Sequence, residues 1–342
     1  SMKLLGIETS CDETAAAVIE DGRLVHSNII ASQAEMHAKF GGIVPELASR
    51  EHLITIIKVV EHSLDLADVE LGDLDGIAVT NGPGLAGSLL VGVNSAKGFA
   101  WANDLPLIGI NHLEGHIYAA WLEGRDPEID PGFPLLCLIA SGGHTDLILM
   151  HGHDQFNLVG RTRDDAAGEA FDKVARVLGL GFPGGPAIQK IAELSSGKES
   201  RLPRPNVKNS LDFSFSGLKT ALIRRAEERG LYPRTSGQEI NESEIANLAG
   251  AFQEAIVETM VKRTLEAAKK YHVNGILLGG GVAANTLLRK ELIAQSELDV
   301  VMPSPSLCTD NGSMIGAAGF FQFKKGFCRQ WDMDVIPNLK LG

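Results

Sequence analysis

The chain has 342 residues, 44% of them hydrophobic, with 31 Lys and Arg against 43 Asp and Glu for a net charge of -12. That length supports a large core and two domains, and the acidic balance excludes a general polyanion binder, so any nucleic-acid contact has to be local or assisted by a partner. Cys11, Cys137, Cys308 and Cys328 form no C-x-x-C pair, which argues against a disulfide framework or zinc ribbon; with no secretory signal and no apolar run near twenty residues, a cytoplasmic protein without a membrane segment is expected.

The first predicted elements are a strand over residues 4–10, a polar turn over 11–14 and a returning strand over 15–19, closed by Asp21 and Gly22. Pro45 then opens a helix whose Leu53, Ile57, Val60 and Leu64 share one stripe, read as core. A strand over 77–80 runs into NGPGLAG (81–87) and an Ala/Val/Leu-rich helix to about Ala102. After a strand over 106–110 comes HLEGH (112–116). Four residues make slightly more than one helical turn, so His112 and His116 project from the same face. That spacing suits two ligands on one metal ion, although histidines so spaced also occur as plain surface or core residues. Asp310, in CTDNG (308–312), is the candidate third ligand.

Residues 135–140, SGGHT (141–145) and residues 146–150 repeat the strand–turn–strand pattern of the N-terminus. Singly, each copy reads as an ordinary hairpin. Two copies, each opening one half of the chain, point to a duplicated nucleotide-binding fold in which turn N–H groups and a small hydroxyl meet a phosphate. Ala167, Phe171, Val174 and Leu178 mark a helix that stops at Gly179. Residues 198–234 carry nine positive and four negative side chains, either a solvated helix face or a phosphate-contacting patch. Ile245, Leu248, Phe252, Ile256 and Met260 mark a long helix to about Tyr271. A strand over 276–278 then runs into GGGVAAN (279–285) and a helix through Leu292.

Both glycine junctions formally match G-x-G-x-x-G/A. The dinucleotide reading needs an acid at the end of the following strand, whereas Asp104 and Asp299 each precede theirs (106–110 and 300–302), so it fails. Strands alternating with helices give an α/β class with mixed sheets.

Seven ordered motifs, GIETSCDET (6–14), GIVPELASR (42–50), HLEGH (112–116), SGGHT (141–145), DAAGEAFD (165–172), FSGLKT (215–220) and GGGVAAN (279–285), resemble the bacterial TsaD family over essentially the whole chain. These are tRNA N6-adenosine threonylcarbamoyltransferases, formerly described as O-sialoglycoprotein endopeptidases. The resemblance implies two duplicated actin-like/Hsp70-like ATPase domains (ASKHA, RNase H-like) around a cleft, the first from residues 1–118 with 312–342 and the second from 119–311. It implies transfer of threonylcarbamoyl from threonylcarbamoyl-AMP to N6 of adenosine 37 in tRNAs reading ANN codons, forming t6A and releasing AMP. One divalent metal, Fe(2+) or alternatively Zn, is implied on His112, His116 and Asp310. ATP or an adenylate is implied at Ile139, Ala140, Ser141, Gly142, Gly143, Asp172, Gly185 and Asn285, with Asp12 and Glu13 as catalytic residues. The implied partners are tRNA, TsaB and TsaE. The stripe after Pro45 or the helix over 87–102 is the candidate TsaB surface, although both read as core. Two departures stand out: archaeal and eukaryotic relatives carry a tyrosine metal ligand where this chain has Ile139, and many bacterial relatives carry glutamine at Asp146.

Three rivals remain. A zincin needs H-E-x-x-H, but Glu114 lies two residues beyond His112, about 200° round the helix. A small-molecule kinase on the same fold, with Asp12 or Asp172 as base, and a non-catalytic ATP-binding scaffold both leave His112, His116 and Asp310 without a task.

Overall fold

The computed structural model describes residues 1–234, 241–327 and 331–341; Cys328 and the last residue of the expected first domain lie outside them. The opening apolar runs fold as β1 (Lys3–Glu8), β2 (Glu13–Glu20) and β3 (Leu24–Ser32), all antiparallel, with Leu5 opposite Val18. α1 (Ala34–Ala38) and α2 (Pro45–Ala67) cross to β4 (Gly76–Gly82), which pairs parallel with β1; α3 (Ala86–Ala102) leads to β5 (Leu107–Asn111), parallel to β4. α4 (His112–Tyr118) leaves β5 directly.

The plan then repeats. β6 (Leu135–Ala140), β7 (Thr145–Gly152) and β8 (Gln155–Arg161) form the second antiparallel unit. α5 (Ala167–Val177), α6 (Gly184–Ala192), α7 (Ser216–Glu228) and α8 (Glu242–Tyr271) follow. β9 (Gly275–Gly279), α9 (Thr286–Gln295) and β10 (Asp299–Val301) complete the sheet, with β6–β9 and β9–β10 parallel. α10 (Pro305–Cys308) and α11 (Gly312–Lys324) return the chain to the first sheet. The strand orders β3-β2-β1-β4-β5 and β8-β7-β6-β9-β10 are the same topology used twice, as the two hairpin motifs predict.

The core has three parts. One lies outside the first sheet under α2 and α3, and one outside the second sheet under α5, α7 and α8. The third fills the space between the sheets, where Leu135, Cys137 and Ile139 meet Ala17, Ile19, α4 and α11. α11 packs closely on β1: a Cβ on Gly6 would lie 2.5 Å from the Gly316 nitrogen, so only glycine admits this contact. Cys11, Cys137 and Cys308 are free thiols. Among the described residues no helix is long and apolar enough to cross a membrane.

Three sequence expectations change. On α2, Val60 and Leu64 are buried as expected, but Leu53 is 65% and Ile57 48% exposed, and the buried face runs through Ala48, His52, Ile56, Val59, Val60, Ser63 and Leu64. The cause is hydrogen bonding: His52 donates to the Cys11 carbonyl at 2.8 Å and pairs with Thr14 Oγ1 at 2.7 Å, while Ser63 meets Ser27 at 2.7 Å. Polar residues so satisfied can occupy core positions, which rotates the helix away from its apolar stripe. Asp299 opens β10 rather than preceding it, still the wrong end for a ribose-binding acid. Finally, the positive segment is largely neutralised: Arg201 and Arg204 pair with Glu258 (2.8 and 2.7 Å), Lys219 with Asp165 (2.6 Å), and Arg225 and Arg229 with Glu199 (3.0 and 2.7 Å). Five of its nine positive side chains are thus ion-paired, which favours the solvated-face reading over a free phosphate patch.

Candidate metal and nucleotide site

Asn111 ends β5 and caps α4, its side chain accepting the Leu113 N–H at 2.9 Å. α4 lies flush on α11, since a Cβ on Gly115 would come 2.7 Å from Ile315. This fixes His112 and His116 on one buried face with ring centroids 4.6 Å apart and their Nε2 atoms 3.1 Å apart. Asp310 arrives from the turn before α11. That turn is held by the fully buried Asn311, whose Oδ1 accepts the Met314 N–H at 3.0 Å and whose Nδ2 donates to the Thr309 carbonyl at 2.8 Å. Asp310 Oδ1 stands 3.1 Å from His116 Nε2 and 3.4 Å from His112 Nε2.

Ligands ~2.1 Å from a shared ion are separated by ~3.0 Å in octahedral and ~3.4 Å in tetrahedral geometry. The three atoms therefore already have the spacing of a coordination shell, and they form a group able to hold a metal ion. The surrounding charges fit a cation. Burial works against Asp310, but His112 and His116 outweigh it and bring its pKa down to about 2. Burial also opposes charge on His112, yet Glu8 and Asp310 lift it to about 9. Burial, with Asp310 and Asp12 nearby, pushes the Glu13 carboxyl up to about 10. Carboxylates crowded in this way repel one another unless positive charge, a bound cation or a protonated imidazole, sits among them.

Glu8 escaped the sequence reading. It is fully buried at the end of β1, 3.0 Å from His112 Nδ1, and accepts from Thr80 Oγ1 at 2.6 Å and the Ser10 N–H at 2.5 Å. The only available signal was an acid closing an otherwise apolar strand. Glu114 points elsewhere, accepting from Gln322 of α11 at 2.8 Å, and burial raises its pKa to about 7.

The turn after β6 is tight: the Ser141 N–H donates to the His144 carbonyl at 2.8 Å, and the Gly168 N–H of α5 donates to the Ser141 carbonyl at 3.0 Å. Gly142 and Gly143 stand exposed on it, with open space where a Cβ would be. Beside the turn lies a cavity of about 280 Å³ whose walls include Gly142, Asp172, Gly185 and Asn285. Four of the eight expected adenylate positions thus surround one space, and Thr309, the neighbour of Asp310, lines it as well. Asp172 accepts the Gly184 N–H at 2.7 Å, and burial raises its pKa. Asn285 caps α9 through Leu288 (2.9 Å) and donates to Gln253 (2.9 Å), a buried residue that sequence reasoning also missed.

Other expected positions are placed differently. Ile139 and Ala140 are fully buried, facing the inter-sheet core and the outer core respectively, so only their backbone is able to meet a ligand. Ser141 is buried at the turn. Asp12, on the β1–β2 turn, and Glu13, which opens β2, are half-buried neighbours, and Glu13 lies within electrostatic reach of Asp310.

The TsaD family model, described as tRNA N6-adenosine threonylcarbamoyltransferase, matches residues 25–317. A protein of that name from Dehalococcoides mccartyi is 53% identical over 340 residues, 99% of each chain. One from Thermomicrobium roseum is 52% identical over 354 residues, covering 99% of this chain and 97% of that one. Among solved structures, HypF from T. kodakarensis superposes with a TM-score of 0.61 at 13% identity, over 94% of this chain and 48% of that one. Component A of the Acidaminococcus fermentans (R)-2-hydroxyglutaryl-CoA dehydratase gives 0.53 at 17% identity, over 95% and 99%. These two likenesses support the fold alone.

Proposed function

The chain belongs to the TsaD family of transferases, and from that premise we propose that it moves threonylcarbamoyl from threonylcarbamoyl-AMP to N6 of adenosine 37 in tRNAs reading ANN codons. The N6 nitrogen bonds to the carbamoyl carbon while the bond from that carbon to the phosphate oxygen breaks. The electron pair leaves with AMP, and the N6 proton passes to a base, for which Asp12 is the candidate. A divalent ion, Fe(2+) or Zn, held by His112, His116 and Asp310 would supply Lewis-acid polarisation and neutralise charge.

The remaining work falls to the protein. Gly142 and Gly143 offer unhindered N–H groups to the phosphate. Gly185 and Asn285 wall the nucleoside, and Asp172 presents a carboxyl to the ribose hydroxyls or the threonyl amide. Glu13, which burial and the nearby Asp310 and Asp12 hold in its protonated form, would stand beside Asp12 as a hydrogen-bond donor. One observation carries the reading: three ligand atoms 3.1–3.4 Å apart adjoin a cavity walled by expected adenylate residues. A kinase or scaffold gives that cluster no task, and the Glu114–Gln322 bond counts against a protease.

An acidic chain needs help with tRNA, consistent with TsaB and TsaE as partners. The exposed Leu53, Ile54, Ile57 and Leu90 on α2 and α3 suit an apolar TsaB interface, and a tRNA substrate implies a cytoplasmic setting. The test is reconstitution with unmodified tRNA, threonylcarbamoyl-AMP and both partners, following nucleoside mass. Wild type is expected to add the threonylcarbamoyl mass to adenosine and His116→Ala to add none; a complete mixture in which wild type adds nothing overturns the proposal.

A further inference from the structure

The 280 Å³ cavity meets one side of the Ser141–His144 turn, at Gly142. On the other side, Gly143 and His144 border a second groove of about 690 Å³. Its remaining walls come from Gly84 before α3, from Phe156 and Arg161 on β8, and from the C-terminal segment at 337–341, including Lys340. Resting on the function proposed above, we infer that this groove receives one unstacked nucleotide of the RNA acceptor, its base against Phe156 and its phosphates toward Arg161 and Lys340.

Position is the first argument. With the donor nucleoside in the small cavity and its phosphate at the turn, the attacking amine has to approach from beyond that turn, where the groove lies. Leu113, adjacent to His112, lines the groove. His144 at its edge feels the cluster directly: burial and then the charges of His112 and His116 lower its pKa to about 4. Size is the second, since 690 Å³ lies within the ~300–1,000 Å³ of small-ligand sites.

Charge is the third. Arg161 and Lys340 are exposed, and neither side chain makes an ion pair at hydrogen-bond distance among the described residues, although Arg161 stands across the β7–β8 ladder from Asp146 and feels its charge. Two acids share the groove. Asp164 is engaged by Ser214 (2.5 Å), Ser216 (2.7 Å) and the Phe215 N–H (2.8 Å), and burial lifts Asp146 to about 6, so that its charge weakens as the pH falls toward that value. Two exposed cations beside a half-buried aromatic ring are the elements by which proteins hold single-stranded RNA, phosphate by charge and base by stacking.

The test uses the full chain with its partners and unmodified tRNA. In steady-state transfer, Arg161→Glu/Lys340→Glu is expected to raise KM for tRNA at least tenfold and leave KM for threonylcarbamoyl-AMP within twofold, with unchanged melting. Phe156→Leu, which keeps the packing but removes the ring, is expected to weaken tRNA use several-fold. An unchanged tRNA KM in the double variant, or an effect confined to the donor KM, overturns the groove as the acceptor site. Should wild type form no modified nucleoside, the function itself fails. The groove is then judged by anisotropy of a labelled anticodon stem-loop, where equal affinity for wild type and the double variant overturns it.

Discussion

Glu8 Oε2 stands 3.0 Å from His112 Nδ1, on the side of the ring opposite the nitrogen that faces His116 and Asp310. A carboxylate on the remote nitrogen of a ligating histidine fixes its tautomer, keeps a proton there and leaves the other lone pair for a metal. The β1–β2 register puts Glu8 opposite Ala15, and Thr80 and Ser10 hold the carboxylate in place.

Substituting Glu8 should therefore weaken metal binding without touching a ligand. Loss of such a support costs about 10–100-fold in affinity, so Glu8→Gln is expected near the lower figure and Glu8→Ala near the upper. Competition against a chromophoric chelator measures this directly, and equal affinities in all three proteins would refute it.

The duplicated hairpins were legible because strand–turn–strand patterning is local, and His112 and His116 because helical spacing is local. Asp310 is different: nearly two hundred residues separate it from His116, so its turn motif offers a carboxylate but no local spacing ties it to the helix. Glu8 and Gln253 matter through contacts across elements that no local pattern records. The outer half of the α2 stripe, Leu53 and Ile57, misled for a related reason. Hydrophobic periodicity cannot foresee that Thr14, Cys11 and Ser27 will satisfy His52 and Ser63 and draw that face inward.

Two adjacent glycines should behave oppositely. A Cβ on Gly184 would lie 2.5 Å from Asp172 Cα, whereas at Gly185 it would meet only the cavity. Gly184→Val is expected to lower the melting temperature, the overpacking costing ~1–3 kcal/mol. Gly185→Val should melt like wild type yet lose adenylate binding by calorimetry with AMP. A Gly185→Val protein that binds AMP normally would remove this cavity as the nucleoside site.

The outward face of α2 offers a test of partner choice. Leu53 and Ile57 are 65% and 48% exposed, so Leu53→Asp/Ile57→Asp should leave the melting temperature within about 1 °C of wild type, as for surface substitutions. Association with TsaB, read by sedimentation velocity, should fall at least tenfold. Undiminished association would move the interface elsewhere.

Asp146 gives a pH-dependent prediction of definite sign. Burial raises its folded pKa from 3.8 to about 6, with Arg161 opposing. A raised carboxyl pKa contributes stability that is fully present below the unfolded value and lost as pH rises through the folded one. The ionised Asp146 is therefore a destabilising group above pH 6, and glutamine at this position removes the penalty. A tenfold difference in proton affinity between folded and unfolded chains is worth about 1.4 kcal/mol, and partial solvent access reduces it. Asp146→Gln should accordingly gain about 1–2 kcal/mol on wild type between pH 4 and pH 7, and nothing further above. Urea denaturation of both proteins across that range reads the difference. A gap that stays constant with pH would mean that burial does not suppress ionisation here.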